Sequence, residues 1–192
     1  KRHSTKRHEG RIGQSMSDEI PIIPPTAKIR LDSDAPVANW RALDKMSGKA
    51  KAGAAVKANA YGLGVGDVVQ KLMAAGCTDF FVANWQEARE IEYLTAGKAS
   101  VSVLNGVRQA DLPFALQSPA KPVINSLEQL ARWRPTGKAC DIMINSGMNR
   151  LGINPEDLEA DHFVGMAIDI AMSHLASADE DWPQNAAQLD QF

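Results

Sequence analysis

The sequence lacks any apolar run approaching the roughly 20 residues that a membrane-spanning helix needs. It also has little net charge, −2 at pH 7, so no broad electrostatic field recommends nucleic acid or an anionic membrane as a partner. Cysteine is scarce: Cys77 and Cys140 lie far apart, one at an expected helix end and one within an expected strand. Buried thiols in a reducing compartment are therefore expected rather than a disulfide or a metal pair, and no metal site is read from the sequence. Tight hairpin signals are missing between the apolar runs, which argues against an antiparallel meander. The glycines Gly62, Gly64 and Gly66 cluster between an apolar run and a helical period, but they do not match G-x-G-x-x-G and Gly76 comes too late to complete it. That spacing argues against a dinucleotide fingerprint, and each glycine by itself needs no more than a turn with positive φ.

What is present begins with a basic leader. Lys1 to Ser15 carries Lys1, Arg2, His3, Lys6, Arg7, His8 and Arg11 with almost nothing apolar, so it cannot bury enough surface to fold, and it lacks the apolar core of a secretory signal. The natural start is expected at Met16. Prolines between Pro21 and Pro25 impose an extended entry. Residues 1–26 are thus read as leader and entry, and residues 27–192, in a sequence that is 44% hydrophobic overall, as one domain with a real core. A strand-like Ala27 to Leu31 comes first. Asp34 is expected to cap a helix with Pro36 in its first turn, running through Trp40 and Leu43 to Gly48.

A rhythm of short apolar runs and helical periods follows. Strands are expected at Gly53 to Val56, Asp79 to Val82, Ser100 to Leu104, Pro122 to Asn125, Cys140 to Asn145 and Ala167 to Ser173. Helices are expected at Val65 to Ala75, Gln86 to Thr95, Val107 to Leu116, Leu127 to Trp133 and Pro155 to Asp161. This alternation means an α/β fold with a parallel sheet and crossover helices. Six strands fit either a doubly wound sheet or three quarters of an eight-stranded barrel, and periodicity does not choose between them.

The stretch from Ala54 to Gly64 concentrates the chemistry. Lys57 closes an apolar run, where partial desolvation lowers the pKa of an amine and frees it to attack a carbonyl. Asn59, Tyr61, Gly62 and Gly64 follow within seven residues, so an amide, a phenol and bare backbone donors gather at the same strand mouth. Such a set suits an aldehyde cofactor that carries a phosphate. Arg150 follows the fifth expected strand and His174 closes the sixth, the ends at which barrel proteins collect their functional residues. Alone, a lysine at a strand end or an arginine after one is usually an ordinary charge, and a lone histidine is more often a satisfied core residue. Three at three strand mouths strengthen one another.

The run VKANAYGLG resembles the pyridoxal phosphate attachment motif of bacterial alanine racemases, and the segments Ser146 to Gly152 and Ser173 to Asp179 are similar to that family in the same order. The resemblance covers the chain from about Ile29 to its end. It implies a TIM-type (β/α)8 barrel, here with about six strands and without the family's C-terminal β domain. It implies that Lys57 bonds the cofactor aldehyde and acts as the base on one face of the substrate α-carbon, that Tyr61 reaches the cofactor phosphate, and that Arg150 contacts the cofactor's phenolic oxygen and the substrate carboxylate. His174 matches the histidine beside the pyridine ring. The implied activity is interconversion of L- and D-alanine for peptidoglycan precursors, in the cytoplasm, by a homodimer without nucleic-acid or membrane partners.

The sequence also departs from the family. Met143 stands where many members carry a lysine whose carbamate orients the arginine, and Asn145 stands where an aspartate is usual. The family continues with further barrel strands, an arginine facing the ring nitrogen, and the tyrosine that serves as second base. The chain is accordingly expected to be an N-terminal fragment that is not a competent racemase alone. Two other readings follow: a barrel that binds pyridoxal phosphate without turnover, like the cofactor-homeostasis family related to this barrel, or a noncatalytic remnant partnering a full-length subunit. A serine or broad-range racemase would look almost the same over this region.

Overall fold

Short apolar strands separated by helical periods bury both strand faces most readily by parallel pairing with a helix in each crossover. The computed structural model describes Thr26, Arg30, Asp32 and residues 34–192. It shows that arrangement. Strands β1 (Ala54–Ala55), β2 (Asp79–Val82), β3 (Ser100–Val103), β4 (Lys121–Ile124), β5 (Ala139–Met143) and β6 (Ala167–Met172) form one sheet in sequence order. Every neighbouring pair is parallel. A doubly wound sheet reverses its strand order at a switch point. This one never does, so it winds in one sense, as a barrel does, with β1 and β6 as its edges among the described residues. The expected strand from Ala27 to Leu31 and the leader fall outside the described residues, Arg30 excepted.

Helices α1 (Ala35–Met46), α2 (Val65–Ala75), α3 (Trp85–Thr95), α4 (Leu112–Ala115), α5 (Leu127–Trp133) and α6 (Pro183–Gln191) complete the order. Their boundaries have local causes. The Asn84 side chain accepts from the Glu87 amide to start α3, and the Ser126 hydroxyl accepts from the Gln129 amide to start α5. Asp34 precedes α1 but makes no side-chain cap; Pro36 sits in the first turn as expected. Trp40 Nε1 donates to the Ala52 carbonyl at 2.8 Å, and Asp44 accepts from the Ala52 amide at 2.9 Å, so α1 is tied to the segment entering β1.

Two expected helices are corrected. Between Val107 and Leu116 only a 3₁₀ turn (Gln109–Asp111) and the single turn of α4 form, because Asp111 folds back to accept from the Arg108 amide at 2.9 Å and pairs with its guanidinium. Between Pro155 and Asp161 the backbone makes two 3₁₀ turns, Pro155–Asp157 and Ala160–Phe163. There Asn154 donates to Asp157 and His162 Nδ1 accepts from the Glu159 amide, local bonds that compete with a longer helix.

The core lies between sheet and helices. Phe80, Val82, Val101, Val103, Ile124 and Ile142 pack with Val69, Leu72, Trp85, Ile91, Leu130 and Trp133. Cys77 and Cys140 are free and buried, and burial pushes the Cys140 thiol up to about 11, so it stays protonated. The opposite face of the sheet is polar low down. Lys121 Nζ lies 2.8 Å from Asp141 and 3.0 Å from Asp169, and Ser102 Oγ donates to Asp141 at 2.6 Å, joining β3, β4, β5 and β6 across one face. Burial opposes the Lys121 charge, but its bonds to Asp141 and Asp169 outweigh that and raise its pKa. Met143, two residues beyond Asp141, continues this face toward the strand ends. No helix among the described residues is long and apolar enough to cross a membrane.

Candidate active site

The segment after β1 does not continue as an ordinary loop. Ala58, Asn59 and Ala60 lie at φ, ψ of 52°, 49°, 55°, 46° and 53°, 49°, and Tyr61 has φ 55°. Successive non-glycine residues in this region form a left-handed helical turn, closed by amide donation from Ala60 to the Val56 carbonyl and from Gly62 to that of Ala58, each at 2.9 Å. The surroundings hold it. Glu87 accepts from the Ala58 amide at 3.0 Å and from the Ala83 amide at 2.7 Å, and the Asn59 side chain accepts from the Val65 amide at 2.8 Å. The backbone donors expected to be free for an anion are not: the amides of Gly62, Leu63 and Gly64 all bond to carbonyls of the turn. Half-buried Lys57 stands at the start of this turn.

The second element is the loop after β5. Asn145 organises it, accepting from the Gly147 and Asn149 amides and donating to the side chains of Asn149 and Asn154. Asn149 takes φ 58°, a region asparagine tolerates better than most residues. Gly152 closes the loop at φ 112°; a Cβ there would stand 2.7 Å from the Asn145 backbone nitrogen. Arg150 projects from this loop with its Nη2 3.5 Å from Nε2 of His174, which follows β6. Partial desolvation lowers the His174 pKa, and the Arg150 and Lys57 charges lower it further, so the imidazole favours its neutral form.

Lys57, Arg150 and His174 line one cavity of about 400 Å³, together with Ala83, Leu104, Asn105, Met143, Met148 and Leu151. Two cations and an imidazole from three strand ends thus converge over a mainly apolar wall. Tyr61 does not join them. Placed at the end of the left-handed turn, its side chain is 64% exposed and does not line the cavity. A larger cavity of about 530 Å³ lies over the loops after β2 and β3. It holds no lysine, histidine or cysteine, and its arginine, Arg108, is already paired with Asp111.

Residues 31–192 match the family model described as "Alanine racemase, N-terminal domain". The chain belongs to this family. It is 40% identical over 173 residues to an alanine racemase of Cereibacter sphaeroides, covering 87% of this chain and 50% of that protein. It is 42% identical over 163 residues to a catabolic alanine racemase of Agrobacterium fabrum, covering 79% of this chain and 42% of the relative. Among solved structures, the alanine racemase of Bartonella henselae with covalently bound pyridoxal phosphate superposes with a TM-score of 0.78 at 30% identity, over 83% of this chain and 50% of that one. The chain spans about half the length of the curated relatives it matches. The α/β fold with six parallel strands is the one expected of this racemase domain.

Several residues that shape the site were not anticipated. Glu87 grips the left-handed turn, and the pattern Asn84-Trp85-Gln86-Glu87, a capping-box signature, was the signal for it. Leu104 and Asn105 line the cavity without any motif to mark them, and Met148 joins them from within the Ser146 to Gly152 segment. Gln188 on α6 reaches two site loops at once, and nothing in the sequence announced that helix.

Proposed function

We propose that this chain supplies the cofactor-holding side of a pyridoxal phosphate-dependent alanine racemase. The observation that carries the reading is the convergence of Lys57, Arg150 and His174, from three separate strand ends, on one cavity. The donor set fits the group: an amine for its aldehyde, a guanidinium for its oxyanions, and apolar walls from Leu104, Met143, Met148 and Leu151 for its flat ring. When bound, pyridoxal phosphate supplies an aldehyde that takes up an amino group and a conjugated ring that delocalises the electron pair left at the α-carbon.

The chain's residues do the rest. Lys57 is the attachment amine and, once displaced by the substrate's amino group, the base that takes the α-proton on its own face and returns it. Arg150 holds the substrate carboxylate and the cofactor's phenolic oxygen, its fork of fixed charge matching planar oxyanions. His174, kept neutral beside Arg150, adds no second positive charge next to the ring. Tyr61 serves the phosphate by moving its exposed phenol toward the cavity. Met143 leaves Arg150 without a carboxylate-like partner at that position, so Arg150 is oriented by its own loop. We extend the reading to D-alanine supply for peptidoglycan, in the cytoplasm, by a homodimer; the relatives' name supports alanine as the substrate, and the buried free thiols suit a reducing compartment.

Proton removal and return on one face needs no second base. Alanine in D2O with the chain and pyridoxal phosphate should therefore lose its α-proton NMR signal from one enantiomer, faster than with the cofactor alone and not with Lys57→Ala. Equal rates for cofactor, wild type and variant would overturn the proposal.

A further inference from the structure

The loops bearing Arg150 and His174 share a partner outside the cavity. Gln188 lies on α6 with its side chain covered, the residue being only 2% exposed. Its Nε2 donates to Ser146 Oγ at 3.3 Å and to the His174 carbonyl at 3.1 Å, and its Oε1 accepts from the Ala176 amide at 2.8 Å. The amide's donors and acceptor are thus spent on the loop after β5 and the segment after β6. The hydroxyls of Ser146 and Ser173 also hydrogen-bond, closing the same seam. Gly147 lies against this contact at φ 127°, a backbone conformation that L side chains rarely adopt. Other polar residues of α6 reach this segment beyond the site: the Asn185 side chain donates to the carbonyls of Ser177 and Glu180, and Gln184 accepts from the Ser177 hydroxyl.

We infer that Gln188 is a positioning residue, a clamp that fixes the distance between Arg150 and His174 by holding both of their loops against α6. Three bonds from one buried amide tie together two segments that are joined at their roots by the Ile144 amide and the Met172 carbonyl and further out by Ser146–Ser173 and the Arg150–His174 contact itself. A leucine or methionine there would fill the space but leave the Ala176 amide and the His174 carbonyl without this partner, so the seam would open toward water. The inference rests on the reading of Arg150 and His174 as cofactor-facing groups for its functional meaning, but its geometry stands without cofactor.

The test is therefore made on the cofactor-free chain. The imidazole of His174 is faced by the guanidinium of Arg150 from the loop after β5 and by the amine of Lys57 from the turn after β1, and both charges lower its pKa after desolvation. Titration of the His174 ring by NMR, assigned with His174→Asn, reports how closely that pair is held. In Gln188→Met the midpoint should rise toward the ordinary imidazole value, and the Ala176 amide should exchange about five- to tenfold faster. Asn185→Ala loosens α6 without touching the clamp and should leave the His174 midpoint in place. An unchanged midpoint in Gln188→Met, or an equal rise in both variants, would overturn the clamp. The α-proton exchange described above reads the functional proposal separately, so failure of one is not failure of the other.

Discussion

Replacing Ala58 by glycine should stabilise this protein, against the usual sense of such a change. The left-handed region costs an L-residue about 1–2 kcal/mol, and glycine nothing comparable. Ala58, Asn59, Ala60 and Tyr61 all occupy it, so the turn stores on the order of 4–8 kcal/mol that the bonds of Glu87 and Asn59 must offset. The Ala58 side chain is exposed, so its methyl contributes little burial. Against the relief stands the greater freedom of glycine in the unfolded chain, about 0.4–1 kcal/mol. The net expectation is a gain of about 0.5–1 kcal/mol. Urea unfolding reads it as a higher midpoint at unchanged slope. Ala38→Gly, at an exposed position of the right-handed helix α1, is the control and should lose about 1 kcal/mol. If Ala58→Gly lowered the midpoint as far as Ala38→Gly does, the left-handed assignment and the strain argument built on it would be refuted.

Lys121→Met should destabilise by about 3–5 kcal/mol in the same assay, because it leaves the fully buried Asp141 without its cation; a loss under 1 kcal/mol would mean that solvent already reaches Asp141. The lowered His174 pKa makes stability proton-linked: as pH falls below 6.5 the unfolded chain takes up a proton that the folded chain resists, so stability drops until pH passes the folded midpoint, and above 6.5 the contribution is fully present. His174→Asn should remove that component, and an identical pH profile for wild type and variant over this window would contradict it.

Strand positions were legible because each apolar run is short and bounded. Asp79–Val82 was read to the residue, and so were helices Val65–Ala75 and Leu127–Trp133. What periodicity left open, barrel or doubly wound sheet, is a matter of strand order, which local pattern does not encode. The failures share a cause: at Asp111, Asn154 and His162 a polar side chain bonds nearby backbone or side-chain groups and ends a helix that apolar spacing alone would continue. The glycines after Lys57 were visible, but the left-handed twist of Ala58–Tyr61 was not, since alanine and tyrosine have no intrinsic preference for it and it depends on Glu87 from another element. Lys57, Arg150 and His174 were legible as strand-end residues, and the structure places all three on one cavity. Tyr61 was equally legible but stands apart.

Lys57 as the cofactor lysine is the claim on which the functional account depends. Its most direct measurement is reduction of the chain with borohydride in the presence of pyridoxal phosphate, followed by peptide mass mapping. The account predicts a phosphopyridoxyl adduct confined to the peptide that contains Lys57 and lost in Lys57→Ala. An adduct scattered over other lysines, or persisting at equal yield in the variant, would contradict it.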